Sequence, residues 1–345
     1  MQGVPVNVVA GRLGVGKTTA INHLLSLRPS TEKWAVLVNE YGLIGLDAAL
    51  MRLDEDEDAV KVSEVAGGCI CCSAGPTFEV TLVRLLRARP DRLIIEPTGL
   101  AKVSGILDTL LTPGIREAVD VRSVIGLMDA SRLEHDVHRE HVQDTIDAAN
   151  VLLASRADLL SEDDWGRFEA WGRDLVPAKA HIGRIEQGSI SLELLEHRFD
   201  PEAAAVARDR RHRHGHHHHH HEDAAEPEPE AITVSAEQPF ALRHHAADSA
   251  STLGWVCFNG WTFDAEKITP WLRELGRRPD ILRVKGVLRT TEGWQSYNFS
   301  DGQETIERTR PRPDSRLELV AEPSADLDPM AFEAASRACV ASFED

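Results

Sequence analysis

The sequence predicts an α/β domain built on a mainly parallel sheet, followed by a His-rich linker and a small α+β C-terminal domain. Three observations carry the prediction. Short Val-, Ile- and Leu-rich runs alternate with helical patterns between residues 4 and 200, as in a parallel sheet covered by helices. The apolar run Val4–Ala10 leads directly into GRLGVGKT at Gly11–Thr18 and then into helical spacing, the strand–loop–helix order of a P-loop NTPase. Further on, the segment RHRHGHHHHHHEDAAEPEPE breaks all apolar periodicity before order resumes; such a stretch cannot repay its ordering entropy.

The expected strands of the first domain are Val6–Ala10, Trp34–Asn39, Arg92–Glu96, Ser123–Asp129 and Val151–Ala154, each apolar enough to be buried on both faces. Helical spacing marks Lys17–Leu27, Thr77–Ala88 and Leu133–Ala149. After the linker, Gly254–Phe263 alternates as a strand and Ala265–Leu275 as an amphipathic helix. Strands at Ile281–Thr290 and Trp294–Phe299 flank the turn Thr291–Gly293, and Arg316–Val320 adds another. The tail from Asp328 to Phe343 has helical spacing. These patterns set expected boundaries of 1–207 for the P-loop domain, 208–248 for the linker, 249–325 for the C-terminal domain and 326–345 for the tail.

Composition excludes several classes. No run of eighteen apolar residues exists to span a membrane. The N-terminal MQGVPVNVVAG lacks the basic region and cleavage site of a signal peptide, so a cytoplasmic location is expected. A net charge of −18 argues against binding nucleic-acid backbones. Five cysteines, three of them within four positions, point to metal or redox chemistry rather than a disulfide framework.

The loop Gly11–Thr18 needs Gly11, Gly14 and Gly16 because its backbone N–H groups must converge on phosphate without side chains in the way. The helix that follows turns its positive end toward the same anion. Lys17 is expected to reach the β- and γ-phosphates, with Thr18 on Mg²⁺ and Thr19 in the same first turn. Leu93–Gly99 reads LIIEPTG, an apolar strand ending in a carboxylate at the Walker B place. Glu96 there can hold Mg²⁺, directly or through water, or orient the attacking water. Gly99 lets the backbone approach the γ-phosphate closely.

Cys69, Cys71 and Cys72 in GGCICC can converge on one soft cation, since thiolate favours Zn²⁺, Cu(I) or related metals over Mg²⁺. Three buried structural thiols are the alternative. In chain order, the phosphate loop, Asn39-Glu40-Tyr41-Gly42, Cys69-Ile70-Cys71-Cys72 and Glu96-Pro97-Thr98-Gly99 together resemble the CobW-type GTPases, a branch of the P-loop metallochaperone and metal-insertion GTPases. The resemblance runs over residues 5–320, through Asp129-Ala130, the His-rich linker and Arg283-Val284-Lys285-Gly286.

That resemblance implies GTP binding with slow hydrolysis and metal held beside a switch segment. It implies Cys69, Cys71 and Cys72 as metal ligands, Glu40 as a neighbouring oxygen ligand, and Asp47 as an acidic switch residue near Mg²⁺ or the attacking water. The implied cofactors are GTP, Mg²⁺ and Zn²⁺, with Co²⁺ or another transition metal as the alternative, and the implied partner is a client metalloprotein. Metal fixes the thiol loop while γ-phosphate orders the switch, so each ligand biases the other's affinity. This chain departs from the family at Leu43, where many members carry Glu, and at Ser155-Arg156-Ala157-Asp158, where N-K-x-D is usual. Asp158 retains the guanine-reading carboxylate and Arg156 can stack on the ring, but Ser155 cannot make the Asn contacts. Pro177–Ala180, containing Lys179, sits where the family closes over the base.

His212, His214 and His216–His221 supply a flexible imidazole run suited to Zn²⁺, Ni²⁺, Co²⁺ or Cu²⁺; a solvated linker with incidental affinity is the plainer reading. His135, His138 and His141 recur every three residues on the helix expected there, a surface face before a ligand set. Cys257 and Cys339 read as inert or merely exposed, and Trp255 and Trp261 as packing residues of the small domain. The function expected is a metal-binding GTPase that delivers zinc to a client. A cobalt-insertion factor, or a metal buffer with a weak nucleotide site, stands beside it.

Overall fold

The computed structural model describes residues 3–39, 60–65, 76–99, 101–214, 234–235, 237–246, 250–300 and 302–343. They belong to two compact units, one within residues 3–214 and one within 234–343.

The first unit runs β1 (Val4–Ala10), α1 (Lys17–Ser26), β2 (Trp34–Asn39), β3 (Val60–Val65), α2 (Pro76–Arg87), β4 (Arg92–Glu96), α3 (Val103–Leu110), α4 (Pro113–Arg116), β5 (Val119–Met128), α5 (Leu133–Asp136), α6 (Glu140–Ala148), β6 (Val151–Ala154), α7 (Glu162–Arg173), β7 (His181–Arg184) and α8 (Pro201–His214). Its seven strands form one sheet in the order β3-β2-β4-β1-β5-β6-β7. Every pairing is parallel, with Val6 opposite Leu93 and Val8 opposite both Ile95 and Val124. The central strands are mostly apolar because helices cover both faces; Val8, Val9, Ile94 and Ile95 are wholly buried, and the buried Asn7 among them donates to the Leu195 carbonyl at 2.9 Å. β1 lies between β4 and β5, yet the chain leaves it for β2 on one side and leaves β4 for β5 on the other. The carboxyl ends of strands at such a reversal of direction form the crevice where α/β sheets hold ligands.

Two strands of this unit escape the sequence reading: β3, next to a stretch of acidic residues, and the four-residue β7. The helix expected over Leu133–Ala149 is two helices, α5 and α6, with Arg139 extended between them (φ −81°, ψ 131°). His135, His138 and His141 therefore do not share one helix face. The break has a tertiary cause: the Asp136 carboxylate is buried against Arg12 at 2.9 Å, and Gln143 donates to the Val137 carbonyl at the gap. Helix α8 continues to His214, through residues read as the start of the linker.

The second unit contains β8 (Phe240–Ala246), β9 (Ser251–Phe258), β10 (Trp261–Phe263), α9 (Ala265–Gly276), β11 (Ile281–Thr290), β12 (Gly293–Ser300), β13 (Gln303–Arg308), β14 (Asp314–Ala321), α10 (Pro329–Ala338) and β15 (Val340–Phe343). Six strands pair antiparallel in the order β13-β12-β11-β14-β9-β8, and β10 joins β11 to β15. The stretch read as one strand, Gly254–Phe263, is thus divided at Asn259-Gly260. Strand pairing also carries this unit beyond both expected limits: β8 precedes residue 249, and α10 and β15 follow residue 325. Trp255 and Trp261 pack its core as expected, with Trp255 wholly buried and its Nε1 donating to Ser336 Oγ at 2.8 Å. Val284 and Leu288 enter that core, so strand alternation turns Arg283 to the other face. There its guanidinium pairs with buried Glu318 at 2.9 Å.

Candidate nucleotide site

The sharp turn after β1 is built by glycine. Gly16 caps α1 with φ 102° and ψ 22°, a left-handed conformation cheap only without a Cβ. Gly11 and Gly14 also have positive φ, 146° and 73°, so the loop winds back over the helix N-terminus. Lys17 is buried, and its Nζ donates to the carbonyls of Gly11 at 2.9 Å and Arg12 at 3.1 Å. These bonds hold the ammonium at the loop. Thr18 lies in the first turn of α1, and Thr19 beside it is exposed.

From the neighbouring strand, Glu96 ends β4 as a buried residue, 3% exposed. Thr18 Oγ1 donates to Glu96 Oε1 at 3.0 Å. A hydroxyl and a carboxylate oxygen side by side form a hard-oxygen donor pair, which fits Mg²⁺. Gly99 then passes against the phosphate loop: a Cβ there would lie 2.2 Å from the Leu13 nitrogen and 2.6 Å from the Arg12 carbonyl carbon. Only glycine allows the two loops to touch.

On the far side of β1, the loop after β6 approaches the same place. Arg156 is left-handed (φ 58°, ψ 43°), and its Nη2 donates to the Gly14 carbonyl at 2.5 Å. Asp158 is exposed in the short turn Ala157–Leu159. Ser155 is buried, and its Oγ donates to the Met128 carbonyl at 3.2 Å. Its hydroxyl thus braces β5, while Arg156 turns to the phosphate loop and Asp158 is exposed. Lys179 faces elsewhere: its Nζ donates to Ile146 O at 2.6 Å and Ala149 O at 2.9 Å, closing the C-terminal end of α6. Burial pushes Lys179 down to about 8.

The sequence reading missed Arg12 and Asp136. Arg12 is a variable position of the loop pattern, yet its guanidinium is buried between Asp129 at 3.1 Å and Asp136 at 2.9 Å. Arg132 and Arg139 each approach Asp136 at 3.8 Å. An arginine inside a glycine-rich loop is the one signal the sequence offered, and it named no partner. Burial lowers the pKa of His141, assisted by the charge of Arg139.

Glu40, Asp47, Cys69, Cys71 and Cys72 lie outside the described residues, as do His216–His221. Among the described residues no group of three or more His, Cys, Asp or Glu side chains is placed to hold a metal ion, and no helix is long and apolar enough to cross a membrane. Cys257 and Cys339 are buried and free, and burial raises both thiols above their ordinary values, as inert cysteines should be.

The chain is similar to known proteins. Residues 5–182 match the family model for the CobW/HypB/UreG nucleotide-binding domain, and residues 254–340 match the cobalamin synthesis protein cobW C-terminal domain. The zinc chaperone YeiR of Escherichia coli K12 is 31% identical over 328 residues, covering 93% of this chain and 94% of that protein. The zinc chaperone YjiA of the same organism is 32% identical over 206 residues, covering 56% and 61%. The zinc-regulated GTPase metalloprotein activator 1 of Dictyostelium discoideum is 26% identical over 196 residues, covering 46% and 41%. Among solved structures, the Zn(II)-bound YjiA GTPase from E. coli superimposes with a TM-score of 0.41 at 18% identity, over 98% of this chain and 99% of that one. With both family models matched in order and a relative aligned along nearly its whole length, the chain belongs to the CobW family.

Proposed function

We propose that this chain is a GTPase that acts as a metallochaperone, coupling GTP binding and hydrolysis to delivery of zinc to a client metalloprotein. The observation that carries the reading is the contact of Thr18 Oγ1 with Glu96 Oε1 at 3.0 Å beside a glycine-wound loop. It joins the two elements that a phosphate loop and a Walker B carboxylate must supply. The relatives named zinc chaperones and zinc-regulated GTPase activators supply the metal and the base.

Each residue then has a task. The loop N–H groups and the α1 N-terminus bind the phosphates. Lys17 exchanges its loop carbonyls for phosphate oxygens and neutralises their charge. Thr18 and Glu96 would hold Mg²⁺, which when bound supplies charge neutralisation across the β- and γ-phosphates. Gly99 would let the backbone come close to the γ-phosphate, and Arg156 and Asp158 would address the guanine. Asp47 is proposed as the acidic switch residue. Cys69, Cys71 and Cys72, with Glu40, are proposed to carry the zinc as cargo, and the cytoplasm is the proposed compartment.

The test is hydrolysis of GTP and ATP by the purified chain, with and without stoichiometric Zn²⁺. Hydrolysis of GTP alone, changed by Zn²⁺ and unaffected by deleting His212–His221, is the expected result. No hydrolysis and no metal effect on nucleotide affinity would leave a metal buffer. A response to Co²⁺ in place of Zn²⁺ would favour the insertion-factor reading, to which the name of the C-terminal family model points.

A further inference from the structure

The Asp129 carboxylate divides its two oxygens between different tasks. Oδ1 accepts from the Ser131 backbone N–H at 3.1 Å and from Ser131 Oγ at 2.6 Å, capping the short turn after β5. Oδ2 faces two guanidinium groups: Arg12 of the phosphate loop at 3.1 Å and Arg156 of the base loop at 3.7 Å. The side chain of Asp129 is only 11% exposed, and those of Arg12 and Arg156 are 9% and 22% exposed.

Two guanidinium groups this close repel, and partial burial weakens the screening by water. A carboxylate between them turns that repulsion into attraction for both. The consequence reaches the nucleotide because each arginine belongs to one nucleotide-facing loop. Arg12 shapes the phosphate loop from inside, and Arg156 also donates to the Gly14 carbonyl. We propose that Asp129 is a positioning residue that locks the phosphate loop to the base loop through Arg12 and Arg156, so that the two halves of the nucleotide are bound as one unit. This rests on the nucleotide-binding reading above. It assigns Arg12, which the phosphate-loop pattern leaves unspecified, a role in affinity without contact to the nucleotide.

The measurement is a double-mutant cycle on affinity for a fluorescent GTP analogue in the full-length chain. Arg12→Gln and Arg156→Gln are each expected to weaken binding about tenfold, the scale of a lost charge-assisted hydrogen bond. The double variant should lose far less than the product of the two, because either change already frees one loop. In the Asp129→Asn background, which keeps the oxygen that caps Ser131, the two arginine changes should become additive. Additive losses in the presence of Asp129 would overturn the inference. So would equal coupling with and without the carboxylate, which is what a purely structural role gives. If Asp129→Asn does not fold, the two-arginine cycle decides alone. Failure of the unmodified chain to bind the GTP analogue overturns the functional reading together with this one; tight binding without coupling overturns this one alone.

Discussion

Thr18 Oγ1 lies 3.0 Å from Glu96 Oε1, so the first turn of α1 and the end of β4 meet through one hydrogen bond between residues far apart in the chain. Parallel pairing of β1 with β4, with Val8 opposite Ile95, aligns the carboxyl ends of both strands and makes the meeting possible.

Glu96→Gln keeps the shape and an acceptor for Thr18 but removes the charge. Steady-state kinetics should show kcat for GTP reduced by about a hundredfold, the scale of losing one charge-stabilising group. An unchanged kcat would remove Glu96 from the catalytic set.

Gly99→Ala places a Cβ 2.2 Å from the Leu13 nitrogen. Backbone cannot yield as a side chain tip can, so the loops must separate, at a cost of about 1–3 kcal/mol. Thermal unfolding should show a lower midpoint, and nucleotide titration a weakened affinity.

Lys179→Met removes two hydrogen bonds to the end of α6 while keeping most of the apolar stem. Urea unfolding near pH 10, where the amine is mostly neutral in the folded state, should show a loss of about 1–2 kcal/mol. Its pH dependence has a definite sign. The folded-state value of about 8 lies below the ordinary value of 10.5. Below pH 8 the ammonium is charged in both states and burial opposes folding. Between pH 8 and 10.5 that opposition fades, because the folded state releases its proton first. The unmodified chain should therefore gain stability relative to the variant as pH rises through that window.

Serine at Cys69, Cys71 and Cys72 should abolish tight Zn²⁺ binding in a chelator competition, since a neutral hydroxyl replaces each thiolate. Weak binding should survive and vanish when His212–His221 is also deleted. Undiminished tight binding in the combined variant would move the zinc site elsewhere.

The reach of the sequence follows from the range of the interactions involved. Strand β1, the glycine-wound loop and α1 were legible because their signals are local: an apolar run, glycines at fixed spacing, and a helical pattern within one short stretch. Strand β4 and Glu96 were legible for the same reason. β7 was missed because its four residues, His181–Arg184, are too few to show periodicity and form a strand only by pairing with β6. The two tryptophans of the second unit fell where apolar alternation placed them, while β15 depends on β10, far back along the chain, and β8 is a strand only by pairing with the neighbouring β9.

By itself, the sequence determined the phosphate loop, the strand-end carboxylate, the thiol cluster as a motif and the family to which they belong. The tertiary structure alone decided that the helix after Leu133 breaks at Asp136, that Ser155 turns inward to Met128, and that Lys179 caps α6. It also decided that Arg12 and Arg156 meet at one oxygen of Asp129. Each of these is a choice of partner for a buried polar group. Burial makes a partner obligatory, but only the parallel sheet, by bringing strand ends together, determines which one is within reach.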